Sequence, residues 1–179
     1  MVEPRIATFL AAVKQAEAKE MPLGAVGVAW GGYFVVRACG SATTVLDAAF
    51  LAHPSNLTYP RDVERISVPM SWAAAETCRH MSPAQAEMTR KILAAKSARA
   101  KDEDEDEPNI VEDEHEPNMK TRNGSGKRMR RFQHEFVLYG GVNYGFAQGA
   151  TRKKIKEAEA GERAEEQAVE WFRRRSNLT

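Results

Sequence analysis

The feature that most constrains this chain is Gly27-Val28-Ala29-Trp30-Gly31. The apolar run Ala25 to Trp30 leads into it, and an apolar segment, Tyr33 to Cys39, follows. Such a run, bounded by glycines, reads as a buried parallel strand. Gly31-Gly32 then turns the chain into a short buried helix. A glycine-flanked strand-to-helix turn lifts its central side chain above the carboxyl end of a sheet. The helix after it aims its first N–H groups at the same point, which favours a developing negative charge. Here the central side chain is the methyl of Ala29.

The remaining segments fit the same architecture. Ile6 to Lys19 reads as a helix with Ile6, Phe9, Leu10, Val13 and Ala16 on one face. Further strands are expected at Ala48 to Ala52, Val68 to Ala75 and Glu135 to Tyr139, the last closed by Gly140-Gly141. Ser82-Pro83-Ala84-Gln85 is a helix start with an N-cap serine, proline at the first position and glutamine at the third. That helix is expected to reach about Ala100. A last helix, Thr151 to Arg175, turns Ala164, Ala168, Trp171 and Phe172 toward the sheet. Strands alternating with helices imply an α/β fold with a parallel sheet of about four strands. The whole chain, 1–179, reads as one domain.

One segment departs from this pattern. Residues 101–131 carry an acidic run, Asp102 to Glu107, a second acidic patch from Glu112 to Glu116, and the basic cluster Lys127 to Arg131. The segment has too little apolar surface to offset the entropy of ordering it. It is expected to be a disordered charged insert, either a solvated loop or a docking tail. Elsewhere charge excludes little: 26 Lys+Arg against 25 Asp+Glu gives no argument for nucleic acid. No run approaches the ~20 apolar residues of a membrane span. Two cysteines, Cys39 and Cys78, make no disulfide framework, so a reducing, cytoplasmic setting is expected.

Four ordered motifs carry a family resemblance. Gly24 to Gly32, with Trp30-Gly31-Gly32 after the central residue, resembles the elbow of dienelactone hydrolases, members of the α/β-hydrolase superfamily, and of their fungal members above all. Ala52-His53-Pro54-Ser55 resembles the family's His-Pro-Ser strand end. Ala73 to Cys78 resembles the strand end that places the catalytic aspartate. Tyr139 to Ala147, with Tyr144 before Gly145-Phe146-Ala147, resembles the segment that carries the catalytic histidine. The helix Arg163 to Phe172 resembles the family's last helix.

The resemblance implies a partial α/β-hydrolase fold, because family members carry several strands before the elbow. It leaves the elbow strand as a sheet edge, to be covered by the first helix or by a protein partner. It also places Ala29, Cys78 and Tyr144 at the nucleophile, acid and base positions. Alanine cannot attack a carbonyl, and a phenol, which ordinarily titrates at about pH 10, is a poor base. Three substitutions imply a degenerate hydrolase with little or no ester or lactone hydrolysis. An alternative is a repurposed pocket of secondary metabolism, taking a lactone or polyketide-like ligand; another is a protein-interaction role. No cofactor is implied.

The other polar residues are weaker candidates. Cys78 and His80 could form a thiolate–imidazole pair, though residues two apart on a loop rarely face each other. His80 and Trp30 are candidate pocket residues, with Trp30 equally readable as packing. Cys39 reads as a small buried hydrophobe. His53 is expected to bond backbone and shape its loop. His115 falls in the charged insert and His134 at a strand start. The histidines and cysteines show no zinc spacing.

Overall fold

The computed structural model describes residues 3–105, 133–149 and 155–176. In chain order the elements are α1 (Glu3–Ala16), β1 (Gly24–Val28), α2 (Trp30–Cys39), β2 (Ala48–Ala52), α3 (Arg61–Glu64), β3 (Met70–Thr77), α4 (Pro83–Glu105), β4 (His134–Asn143), a 3₁₀ turn (Phe146–Gln148) and α5 (Ile155–Ser176). The four strands form one sheet in the order β1-β2-β3-β4, every pair parallel. Helices flank it, as the alternation of strands and helices predicts.

Strand alternation divides the core into two layers. Ala49, Leu51, Met70, Trp72 and Ala74 point to one side, where Val36 and Cys39 of α2 and Leu93 of α4 meet them. Phe50, Ala52, Ala73 and Ala75 point to the other, against Ala160, Ala164 and Trp171 of α5. Both faces of β2 are therefore covered, and all five of its residues are buried. This is why the strand reads as a continuous apolar run rather than an alternation.

Several sequence boundaries shift for identifiable reasons. Gly31-Gly32 do not turn the chain; they lie in the first turn of α2, and the reversal is made at Ala29 alone. β4 does not stop at Gly140-Gly141. It continues to Asn143 through an irregularity in its register with β3 between Ala75 and Thr77, with Gly141 at φ 72°. Glycine tolerates that left-handed conformation without a Cβ clash. The capping box of α4 is present: Ser82 N–H donates to Gln85 Oε1 at 2.8 Å, and Gln85 N–H donates to Ser82 Oγ at 3.3 Å.

α4 runs past Ala100 to Glu105, so the first five residues of the expected disordered insert, 101–105, have helical backbone. Lys and Glu are good helix formers, and no proline stands before Pro108 to end the run. The rest of the insert, with His115, the second acidic patch and the basic cluster, lies outside the described residues. So does the start of the last helix at Thr151.

β1 stands at the sheet edge, as expected, and pairs only with β2 among the described residues. α1 packs on α2, and Val26 of β1 remains 58% exposed. Among the described residues no helix is long and apolar enough to cross a membrane.

Candidate functional site

The carboxyl ends of all four strands converge on one place. β1 ends at Val28, and the next residue, Ala29, adopts φ 48°, ψ −118°. This conformation is costly for a residue with a Cβ, on the order of 1–3 kcal/mol. Three backbone hydrogen bonds hold it. Ala29 N–H donates to Ala52 O at 3.1 Å, and Ala29 O accepts from Gly32 N–H at 3.1 Å and Ser55 N–H at 3.0 Å. The residue is buried, at 6% exposure.

The glycines around the turn divide into two kinds. A Cβ at Gly27 would stand 2.7 Å from Gly32 Cα, and one at Gly32 would stand 2.6 Å from Pro54 Cβ. These glycines let β1, α2 and the β2 end approach closely. A Cβ at Gly31 would meet nothing within 4 Å. The steric requirement therefore falls on Gly27 and Gly32, and not on Gly31, which the sequence pattern suggests.

The β2 end supplies His53. Its backbone is also left-handed, at φ 35°, and its N–H donates to Ala73 O at 2.8 Å. The residue is 2% exposed, and its ring lies against Tyr144 (centroids 5.0 Å apart) and Phe146 (5.4 Å). Neither ring nitrogen has a hydrogen-bond partner among the described residues. The expected link to backbone is thus made by the main chain, and the ring serves as packing. Burial lowers its pKa below the ordinary histidine value, with its own backbone acting in the opposite sense.

Cys78, Arg79 and His80 follow the end of β3. Tyr144, just past β4, is tied to the same end by its N–H, which donates to Thr77 O at 2.8 Å. Its ring contacts His80 (centroids 4.8 Å apart), and the Arg79 guanidinium lies 5.4 Å over its centre. Tyr144 thus sits between His53 and His80. His80 Nε2 accepts from Arg79 Nε at 3.1 Å, and no hydrogen bond joins it to Cys78 among the described residues. Cys78 is a half-buried free thiol that packs against both core layers.

Trp30 is 58% exposed on α2, edge-on to Phe34 at 4.7 Å. Cys39 is fully buried, and burial pushes its thiol up to about 12, so it is an inert apolar group. No cluster of three or more His, Cys, Asp or Glu among the described residues could hold a metal. Sequence reasoning missed Arg79 and Phe146 as neighbours of this site. Their places follow from the β3–β4 pairing, which no local pattern reveals.

A strained turn after β1, a helix behind it and three further strand ends beside it define an α/β-hydrolase-like fold. Among solved structures the chain is similar to the acylaminoacyl peptidase of Pyrococcus horikoshii in its orthorhombic crystal form, with a TM-score of 0.54 and 12% identity. The match covers 97% of this chain and 27% of that one, so the chain spans about a quarter of the neighbour's length. At this identity the likeness shows the fold. The sequence matches no protein-family model, and no curated protein matches it significantly.

Proposed function

We propose that this chain is a degenerate member of the dienelactone hydrolase family, with little or no ester or lactone hydrolase activity. The observation that carries this reading is Ala29. It holds a strained elbow conformation at the carboxyl end of the sheet, with a helix N-terminus behind it, yet offers a methyl to that space. A competent elbow presents an oxygen or sulfur there, activated by a neighbouring base. The other two family positions agree. Cys78 stands where a carboxylate would orient the base, and Tyr144 stands where an imidazole would take the proton. His53 and His80 flank Tyr144, but with Ala29 at the elbow they have no nucleophile there to deprotonate. Loss of triad members ordinarily costs several orders of magnitude in rate.

The test is hydrolysis of p-nitrophenyl acetate and of a simple unsaturated lactone by the purified chain. The rate should equal that of a heat-inactivated sample. A rate well above that control, abolished in Cys78→Ala or His80→Ala protein, would overturn the proposal.

A further inference from the structure

A further opening in the described structure lies at the other end of α2 from the elbow. It is a cavity of about 350 Å³ between the first turns of α1, the last two turns of α2 and the segment through α3. That volume is at the small end of ligand sites and holds roughly a dozen water-sized units at ~30 Å³ each. Its lining includes the apolar Ile6, Ala7, Phe34 and Ala38. It also includes Arg37 and Arg65.

Among the described residues the lining includes one carboxylate, Asp62, which is 3% exposed. It is already engaged. Its Oδ2 accepts from Thr58 N–H at 2.8 Å, and its Oδ1 lies 3.5 Å from Arg37 Nη1 and 3.9 Å from Arg61 Nε. Arg65 forms no ion pair with any described residue. Its backbone is drawn into the wall by Gly40, where a Cβ would stand 2.9 Å from Arg65 Cβ and 3.2 Å from Arg65 O. The glycine lets the end of α2 abut the end of α3, which sets Arg65 at the cavity.

We propose that this cavity binds a small amphipathic carboxylate, its anionic head on Arg65 and its hydrocarbon body against Ile6, Phe34 and Ala38. The Arg65 side chain brings to the lining a cation with no ion-pair partner among the described residues, which selects an anion. The apolar wall selects a carbon skeleton over inorganic anions. The volume limits the ligand to about the size of a ten-carbon chain or a fused pair of aromatic rings. This site is separate from the strand-end cluster and does not depend on the reading of Ala29.

The probes are decanoate and 2-naphthoate, with decanol as the uncharged comparison, titrated calorimetrically into the full chain. One equivalent of at least one carboxylate should bind saturably, and decanol at least tenfold more weakly. Preference for decanoate assigns an alkyl ligand, and preference for naphthoate an aryl one. Arg65→Gln should weaken binding about tenfold, the loss expected for one partly exposed charge-assisted contact. Ala7→Trp, at an exposed position on α1, should block the cavity without touching the core. Absence of saturable binding by both carboxylates would overturn the proposal. So would unchanged affinity in both variants when their far-ultraviolet circular dichroism matches the parent chain.

Discussion

Adjacent glycines in the first turn of α2 should respond to alanine with opposite signs. At Gly31 a new Cβ meets nothing within 4 Å. Alanine there removes backbone freedom from the unfolded chain and improves helix propensity, a gain of about 0.5–1 kcal/mol. At Gly32 the new Cβ would stand 2.6 Å from Pro54 Cβ and 3.0 Å from Pro54 Cα, where ordinary carbon contacts are about 3.5–4.0 Å. Relief requires a shift of roughly 1 Å by a ring that cannot change rotamer. Pro54 is also anchored on both sides, by His53 N–H to Ala73 O and by Ser55 N–H to Ala29 O. Overpacking of this kind costs about 1–3 kcal/mol, and the propensity gain returns less than 1. The propensity gain is common to both, so the two variants should differ by the overpacking cost, about 1–3 kcal/mol. For a chain of this size that separates their melting temperatures by about 2–12 °C, Gly31→Ala above the parent and Gly32→Ala below it. Thermal melts followed by circular dichroism, with urea midpoints as a second measure, would read this directly. A Gly32→Ala chain as stable as Gly31→Ala would show that the close approach of α2 to the β2 end does not constrain this turn.

Two further perturbations test the packing behind the site. Gln167 accepts from Tyr139 Oη and donates to Ser71 Oγ, each at 2.8 Å, so it bonds α5 to two strands within the buried interior. Gln167→Ala leaves Tyr139 Oη without its acceptor and removes one of two partners from Ser71 Oγ, which still donates to Glu135 Oε2 at 3.2 Å. It should cost about 2–3 kcal/mol, against about 1 for Tyr139→Phe, as read from urea midpoints, and equal losses would refute a joint role. His134 is pushed down to about 4 by burial and then by the charges of Lys96 and Arg175. Its folded pKa lies below the unfolded value of about 6.5, so the unfolded chain takes up the proton first. Its contribution is full above about pH 6.5 and is lost as pH falls toward 4, on the order of 3 kcal/mol in all. His134→Gln should flatten that part of the stability–pH curve; an unchanged slope between pH 7 and 4.5 would refute the assignment, with His53 contributing in the same sense in both proteins.

The fold was legible wherever burial imposes a period. Ala48 to Ala52 reads as a buried strand because both its faces are covered, and α5 was placed by Ala164 and Trp171, which are 1% and 2% exposed. Boundaries set by backbone strain were not legible. The glycine-flanked pattern centres the turn on Ala29, but alanine ordinarily avoids positive φ, so the reversal itself is drawn to Gly31-Gly32, which lie in α2. Tyr144 was found only through its resemblance to a family segment. Its neighbours His53, Arg79 and His80 come from two other strand ends, and that proximity is created by parallel pairing across the sheet. The cavity beneath α1 was invisible for the same reason, since Ile6, Phe34 and Arg65 share no sequence pattern.

The persistence of strain at Ala29 separates two causes that coincide in active hydrolases. Strain at a nucleophile is usually attributed to the chemistry, because the turn exposes the attacking atom. Here the turning residue is alanine, which carries no reacting atom, and its φ is 48°. The conformation must therefore be imposed by what surrounds it. Ala52 O and the N–H groups of Gly32 and Ser55 fix the peptide units on both sides of the turn. Gly27 and Gly32 let β1, α2 and Pro54 pack at a close approach that a Cβ would prevent. On this reasoning the elbow is a property of how α2 docks on the sheet, a geometry that packing enforces without any reacting atom. Introducing a hydroxyl by Ala29→Ser should then require no rearrangement of the turn. On the proposed family alignment such a chain would still lack the base, because Tyr144 brings a phenol where an imidazole is expected.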